Sequence, residues 1–261
     1  MRIDAHTHIT YPANILYEKM RALNFNKVVV CSAGVARGEK ITTFSAAKTM
    51  MRKIGLAQNH AQSQTIAEIN KELAEVISGY QDLFIGFAKL DLFQENMKMD
   101  LARAVDLGLQ GIGEIIGIHQ NIDKLELVLQ VAHEAELPVF IHCDYPVDSN
   151  DLTSLFKIIP KYTQAKIIIG HLGGDYWLEV IEQAKKISNV YVDTSEVVNQ
   201  IALQVAVNTL PERVLYASDF PWDAPEAMLT RINCLKNNDG VKAQVLGLNF
   251  LRILKGEKLV R

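Results

Sequence analysis

The sequence predicts a closed (β/α)₈ barrel of the TIM type, folded as a single domain over residues 1–261. Three observations carry that prediction. Short β-branched runs alternate with helix-length amphipathic stretches eight times along the chain. The length of 261 residues suits this architecture, for which about 250 is typical. Residues capable of chemistry gather at the C-terminal ends of the predicted strands, the rim where barrel enzymes keep their active sites.

Taken in order, the predicted strands are RIDAHTH, NKVVVCS, LFIGFAKL, QGIGEII, PVFIHCD, AKIIIGHL, NVYVDTS and RVLYASDF. Each is brief, apolar and rich in Val and Ile, as strands buried on both faces should be. Between them, the stretch beginning at Asn121 places Ile122, Leu125, Val128, Leu129 and Ala132 on one helical face and stops before Pro138. Thr65 to Gly79 reads as a long amphipathic helix ending on glycine. The longest connection, about 33–64, is polar and irregular, partly helical at most; following the second strand, it should rise over the C-terminal rim as a lid or binding loop. A doubly wound open sheet is the competing architecture. Its glycine-rich loop after the first strand is missing, because ITYPAN stands there, and Gly111-x-Gly113 lies inside a strand pattern.

Composition narrows the function. With 27 Lys+Arg against 30 Asp+Glu, the formal net charge is -3, and no basic tail or stripe suggests nucleic acid as a partner. No signal peptide and no membrane span are expected, and three scattered cysteines without a CxxC pair point to reduced thiols in a cytoplasmic protein. Cys143 adjoins His142 but should face the opposite side of its strand. The expected partner is a small-molecule substrate; the helical outer faces permit a homodimer.

Four of the seven histidines fall at or near predicted strand ends. His6 and His8 are two apart on the first strand, so both share the inward face. His142 closes the fifth strand, His171 the sixth, and Asp219 the eighth. In a closed barrel the eighth strand returns beside the first, so Asp219 meets the His6/His8 pair. An isolated strand histidine is usually a satisfied polar residue; five such groups at one rim are a metal site. Imidazole and carboxylate donors suit a divalent ion, zinc first, with manganese, iron or nickel as alternatives.

The motifs DAHTHI, IHCD, GHLGG and ASDFPW resemble the amidohydrolase superfamily, and within it the amidohydrolase-2 group of metal-dependent TIM-barrel hydrolases. The stretch IAEINKELAEVISGYQDLFIGFAKLDL, with Asn70 in its helix, is similar to the same group, although Gln81 stands where a proline is usual. The resemblance runs from Met1 to about Trp222. It implies that His6, His8, His142 and Asp219 are metal ligands, that Asp219 is also a proton shuttle, and that His171 binds a second metal or acts on the reacting water. It also draws attention to Glu114 in GIGEI, at the position where superfamily members carry a carboxylate bridging two metals. Pointing inward, Glu114 would make a binuclear site; otherwise it orients a ligating histidine. One firmly bound ion is expected, with room for a second.

The reaction expected from this set is hydrolysis of a small amide, ester or lactone by metal-bound hydroxide, with a phosphoester as a lesser option. The alternative is non-oxidative decarboxylation of an aromatic or unsaturated acid at the same metal. Candidate substrate contacts are Lys89 at the end of the third strand, Arg37 on the long loop, Tyr145 and Trp222. Asp4 is expected to point inward one layer below His6 and brace the strand, Asp193 to support a ligand, and His119 to lie at the pocket or the surface.

Overall fold

The computed structural model describes residues 1–32, 41–58 and 65–256. Its eight strands are β1 (Ile3–His8), β2 (Lys27–Cys31), β3 (Phe84–Ala88), β4 (Gly111–Ile115), β5 (Pro138–Ile141), β6 (Lys166–Ile169), β7 (Val190–Asp193) and β8 (Val214–Leu215). They pair in parallel in sequence order from β1 to β8. Backbone bonds bring the last segment back onto the first: Ala5 N–H donates to the Tyr216 carbonyl at 2.9 Å, Asp219 N–H to His6 at 2.9 Å, and His8 N–H to Phe220 at 2.8 Å. The expected single-domain (β/α)₈ barrel is therefore the fold.

The outer ring is formed by α1 (Asn14–Ala22), α2 (Phe44–Gln58), α3 (Ile66–Gly79), α4 (Met97–Asp106), α5 (Ile122–Ala135), α6 (Ser149–Ile158), α7 (Trp177–Lys186), α8 (Gln200–Thr209) and α9 (Pro225–Asn233), followed by the short α10 (Asp239–Ala243) and α11 (Asn249–Leu254). Capping side chains start α3 and α6. Thr65 caps α3, accepting from the Glu68 amide while the Glu68 carboxylate accepts from Thr65 N–H, which satisfies amides the first turn leaves unpaired. Asp148 and Asp151 do the same for α6.

Two apolar clusters follow from strand alternation. Val28, Val30, Ile112, Val139, Ile141, Ile167, Ile169 and Val192 point outward to the helices. Ile3, Ala5, Val29, Ile85, Phe87, Phe140, Ile168, Tyr191 and Leu215 fill the barrel. Phe250 and Ile253 of α11 join the inner cluster, so the apolar residues of the C-terminal segment cover the interior. The barrel is packed below with these largely apolar side chains. Among the described residues no helix is long and apolar enough to cross a membrane.

The long β2–α3 connection is partly helical, since it contains α2; residues 33–40 and 59–64, with Arg37 and His60, lie outside the described residues.

Candidate metal centre

His6 and His8 reach the mouth through an irregularity in β1. Its register against β2 shifts between Asp4 and Thr7. Ile3 and Ala5 face the interior, and after the shift His6 does too, its ring lying 4.2 Å from that of Phe140. Asp4, flanked by inward Ile3 and Ala5, takes the opposite side of the strand, not the expected place beneath His6. Its Oδ1 accepts from the amides of His6 at 3.2 Å and Ser218 at 3.1 Å. It does brace the strand; complete burial pushes its carboxyl up to about 7.

Glu114 is turned inward by a second irregularity. The β4–β5 register shifts between Ile112 and Ile115, and both isoleucines face outward, so the intervening residues break strict alternation. Gly113 permits this: at φ 138°, a Cβ there would lie 2.7 Å from Phe140 Cβ and 2.8 Å from its carbonyl oxygen. Regular alternation brings in His142, one residue past β5, while Cys143 joins the outer cluster as expected. His171 and Asp219 stand beyond β6 and β8, in left-handed backbone at φ 55° and 56°. Both were expected at strand ends; the chain has left the strand in each case, and the turn directs the side chain back over the mouth. Such conformations cost on the order of 1 kcal/mol or more each and persist where surrounding structure holds them.

These residues converge. His8 Nε2 lies 3.0 Å and His6 Nε2 3.4 Å from Asp219 Oδ1. Glu114 stands between two histidine pairs. Its Oε2 is 3.6 Å from His8 Nε2 and 3.8 Å from His6 Nε2. Its Oε1 is 2.9 Å from His142 Nδ1 and 3.4 Å from His171 Nε2. His142 and His171 are themselves 3.0 Å apart. Donor atoms of His6, His8 and Asp219, and separately of His6, Glu114 and His171, lie within 4.8 Å of one another.

Outer contacts orient the rings. Asp193 Oδ2 is 3.3 Å from His6 Nδ1, and its Oδ1 accepts from the His171 backbone amide at 2.7 Å. Ser195 Oγ contacts His171 Nδ1 at 2.9 Å and donates to Asp193. His8 Nδ1 faces the Ser32 carbonyl at 3.1 Å. With Nδ1 engaged by a carboxylate, a carbonyl and a hydroxyl in turn, His6, His8 and His171 each present Nε2 to the mouth, because a partner on one ring nitrogen fixes the tautomer. Asp193→Asn should therefore weaken divalent-metal affinity about 10- to 100-fold with the barrel intact, as read by competition with a chelating dye. Affinity unchanged in that variant would show that Asp193 orients nothing.

The electrostatics describe a centre that seeks positive charge. Burial opposes protonation of His6, yet Asp219, Glu114 and Asp193 outweigh it and push the imidazole up to about 9. His171 goes up to about 10, again against burial, through Glu114, Asp193 and Asp219. Burial alone would raise the Glu114 carboxyl, but His142 and His6 hold it well below the usual range. Asp219 is likewise lowered, by His6 and His8 against its burial. Among the described residues, His6 Nε2 and Asp219 Oδ1 are buried without a hydrogen bond of good geometry. Orphaned buried donors and acceptors are costly, and facing nitrogen and oxygen atoms of this kind fit a divalent cation.

The other sequence candidates fare unequally. Lys89 is buried at the end of β3, its backbone clasped by Asn70 at 2.9 and 2.7 Å, and its Nζ donates to the Glu114 carbonyl at 3.3 Å. Burial lowers its ammonium pKa, with Glu114 and Asp91 pulling the other way. Tyr145 is 87% exposed, so its ring stands in solvent; only its carbonyl approaches His142, at 3.4 Å. Trp222 is half-buried, its amide donating to the Asp219 carbonyl at 2.8 Å. His119 pairs with Asp151 at 2.6 Å beside the α6 cap, away from the cluster's donor groups. Glu196 was missed. It follows β7 in left-handed backbone at φ 56°, and its carboxylate joins a donor group with His171 and Asp219. Burial raises its pKa, and Asp219 and Asp144 add to that. Strand patterning carries no signal for a residue three positions beyond a strand.

Comparison with known proteins agrees with this picture. A family model described as Amidohydrolase, of the amidohydrolase-2 group, matches residues 3–255. No curated protein matches the sequence. Among solved structures, a candidate amidohydrolase from Staphylococcus aureus superposes with a TM-score of 0.72 at 17% identity, covering 97% of this chain and 99% of that one. The 5-carboxyvanillate decarboxylase of Sphingomonas paucimobilis gives 0.69 at 15% identity, covering 97% and 98%. A dihydroxybenzoic acid decarboxylase from Polaromonas sp. JS666, solved with bound manganese and 2-nitroresorcinol, gives 0.67 at 15% identity, covering 97% and 96%. At these identities the neighbours speak to the fold. The family match spans almost the entire chain and includes every residue of the cluster, so this protein belongs to the amidohydrolase-2 family of TIM-barrel proteins.

Proposed function

We propose that the chain is a metal-dependent hydrolase of small amides, esters or lactones, and that its mouth holds two divalent ions. The observation that carries this reading is the Glu114 carboxylate. One oxygen faces His6 and His8 and the other faces His142 and His171, so a single side chain spans two nitrogen pairs. His6, His8 and Asp219 would hold one ion, His142 and His171 the other, with Glu114 between them. Two-ion clamps of this kind are characteristic of hydrolytic centres, where attacking and leaving oxygens must both be stabilised. When bound, the metal supplies Lewis-acid polarisation and lowers the pKa of a coordinated water to roughly 7. Zinc is the first choice for this nitrogen and carboxylate set, and manganese fits it too.

The chain's own residues supply the remainder. Asp219 is buried at the mouth, and a carboxylate oxygen not spent on the ion can take a proton from water and return it to the leaving group. Asp193 and Ser195 keep His6 and His171 facing the mouth. Lys89, buried beside Glu114, can hold an anionic or carbonyl oxygen of the substrate.

A second reading, non-oxidative decarboxylation, draws on the same Lys89: a buried ammonium at the edge of the cluster can hold a substrate carboxylate. It draws also on the decarboxylases among the fold neighbours. The two readings separate in one experiment. Metal-reconstituted protein is assayed against ester, lactone, amide and phosphoester panels and, in parallel, for carbon dioxide release from hydroxylated benzoic acids. Hydrolysis without carbon dioxide release is expected. Carbon dioxide release alone would replace the proposal with its alternative, and folded protein taking up no divalent ion would remove both.

A further inference from the structure

We propose that Glu196 determines specificity at this site, selecting substrates with an ammonium or other hydrogen-bond-donating group beside the reacting bond. The inference rests on the reading of the cluster as an active site. It deepens that reading by naming a substrate class.

After β7 ends at Asp193, the chain makes a tight turn. Thr194 N–H donates to the Leu215 carbonyl at 3.1 Å, and Val197 N–H to the Thr194 carbonyl at 3.2 Å. Ser195 is pinned inside, its hydroxyl held by Asp193 and His171. Glu196 is the next residue, in left-handed backbone at φ 56°. An oxygen of Glu196 lies within 4.8 Å of ligating atoms of both Asp219 and His171. Asp219 is itself buried, and its Oδ1 lacks a hydrogen bond of good geometry. Glu196 therefore borders the reaction space.

Two further facts suggest what it meets there. Its side chain is 40% exposed, against 8% for Glu114 and 6% for Asp219, so it occupies the solvent side of the cluster, where the non-reacting part of a substrate must lie. Its ion-pair contact is with His171 Nδ1 at 4.0 Å, beyond hydrogen-bond length, and that nitrogen already meets Ser195 Oγ at 2.9 Å. Among the described residues the carboxylate is thus left available as an acceptor. Asp219 and Asp144 add negative charge beside it, opposed by His171 and His142. Lys89 lies elsewhere, bound to the Glu114 backbone at the end of β3. The mouth is polarised: an anionic or oxygen-rich group is favoured toward β3, a cationic or donor group toward β7. Charge complementarity of this kind sets selectivity more than total affinity.

The test uses three probes anchored by one metal-binding head: butyrohydroxamate, 4-aminobutyrohydroxamate and succinohydroxamate, with neutral, ammonium and carboxylate tails. Their affinities for zinc-loaded protein are measured by calorimetry for the natural chain and for Glu196→Gln and Glu196→Lys. Zinc content and melting temperature are recorded for each. For the natural chain, the ammonium probe should bind about tenfold more tightly than the neutral one, as for a partly exposed charge pair of moderate strength. That preference should vanish in Glu196→Gln and pass to the carboxylate probe in Glu196→Lys. The Gln variant serves alone if the Lys variant fails to fold. A ranking unchanged by both substitutions, or a carboxylate preference in the natural chain, would overturn the proposal while leaving the metal reading in place. A natural chain that takes up no zinc and binds none of the probes overturns both.

Discussion

Replacing Asp219 with asparagine is expected to lower kcat about 10²- to 10⁴-fold on whichever substrate the panel identifies, the usual range for a lost proton-transfer group. Two features of its position make the effect large. Its Oδ1 lies 3.0 Å from His8 Nε2 and 3.4 Å from His6 Nε2, so it belongs to the proposed ligand set. The carboxylate is also buried at the mouth, and its oxygen not spent on the ion can accept a proton during turnover. Asparagine keeps the shape and one oxygen but cannot carry that proton. Fold should survive, because the backbone bond from Asp219 N–H to the His6 carbonyl does not involve the side chain. Turnover within tenfold of the natural chain, with the metal still bound, would remove Asp219 from the proton path.

The second large effect concerns the metal-free chain. His6 and His171 have folded-state pKa values of about 9 and about 10, above the ordinary 6.5. For a group whose pKa is raised on folding, the associated stability is fully present below the unfolded value and lost as pH rises through the folded one. The metal-free protein should thus lose stability between pH 6.5 and about 10. The loss should amount to several kcal/mol, since each pKa unit corresponds to about 1.4 kcal/mol and both imidazoles contribute. Glu114 and Asp219 act in the opposite direction. Their pKa values are depressed, so their contribution is present above the ordinary carboxylate range and lost as pH falls below it. Divalent metal replaces the protons on the histidines, so metal-loaded protein should show a far flatter profile on the alkaline side, and binding at pH 7 should release protons. Thermal unfolding across this range, with and without zinc, checks both claims. An alkaline limb equally steep in the two forms would show that the imidazoles do not give up protons to a metal.

How much of this was legible beforehand varies by residue. His142 obeys simple strand alternation, and the adjacent outward Cys143 does too, so both sides of β5 could be read directly. The meeting of Asp219 with His6 and His8 followed from barrel closure, because the last strand has only the first to return to. Glu114 was different. Strict alternation past outward Ile112 would have turned it away from the mouth, and only the register shift against β5, which Gly113 permits, brings it in. Asp4 was misplaced for the same reason on β1. Glu196 gave no signal, and Tyr145, placed near the pocket by its sequence position, stands in solvent.

The sequence by itself determined the architecture, the end of the barrel that carries chemistry, and the donor types gathered there. It could do so because hydrophobic periodicity and strand order depend on local pattern and on the few ways eight parallel strands can close. Only the tertiary structure decided that Glu114 spans two histidine pairs, that Ser195 joins the expected Asp193 behind them, and that Glu196 borders the mouth. Those features depend on register shifts and left-handed turns of one or two residues. Such turns are stabilised by packing from strands far away in the chain, and so leave no periodic trace in the segments that contain them.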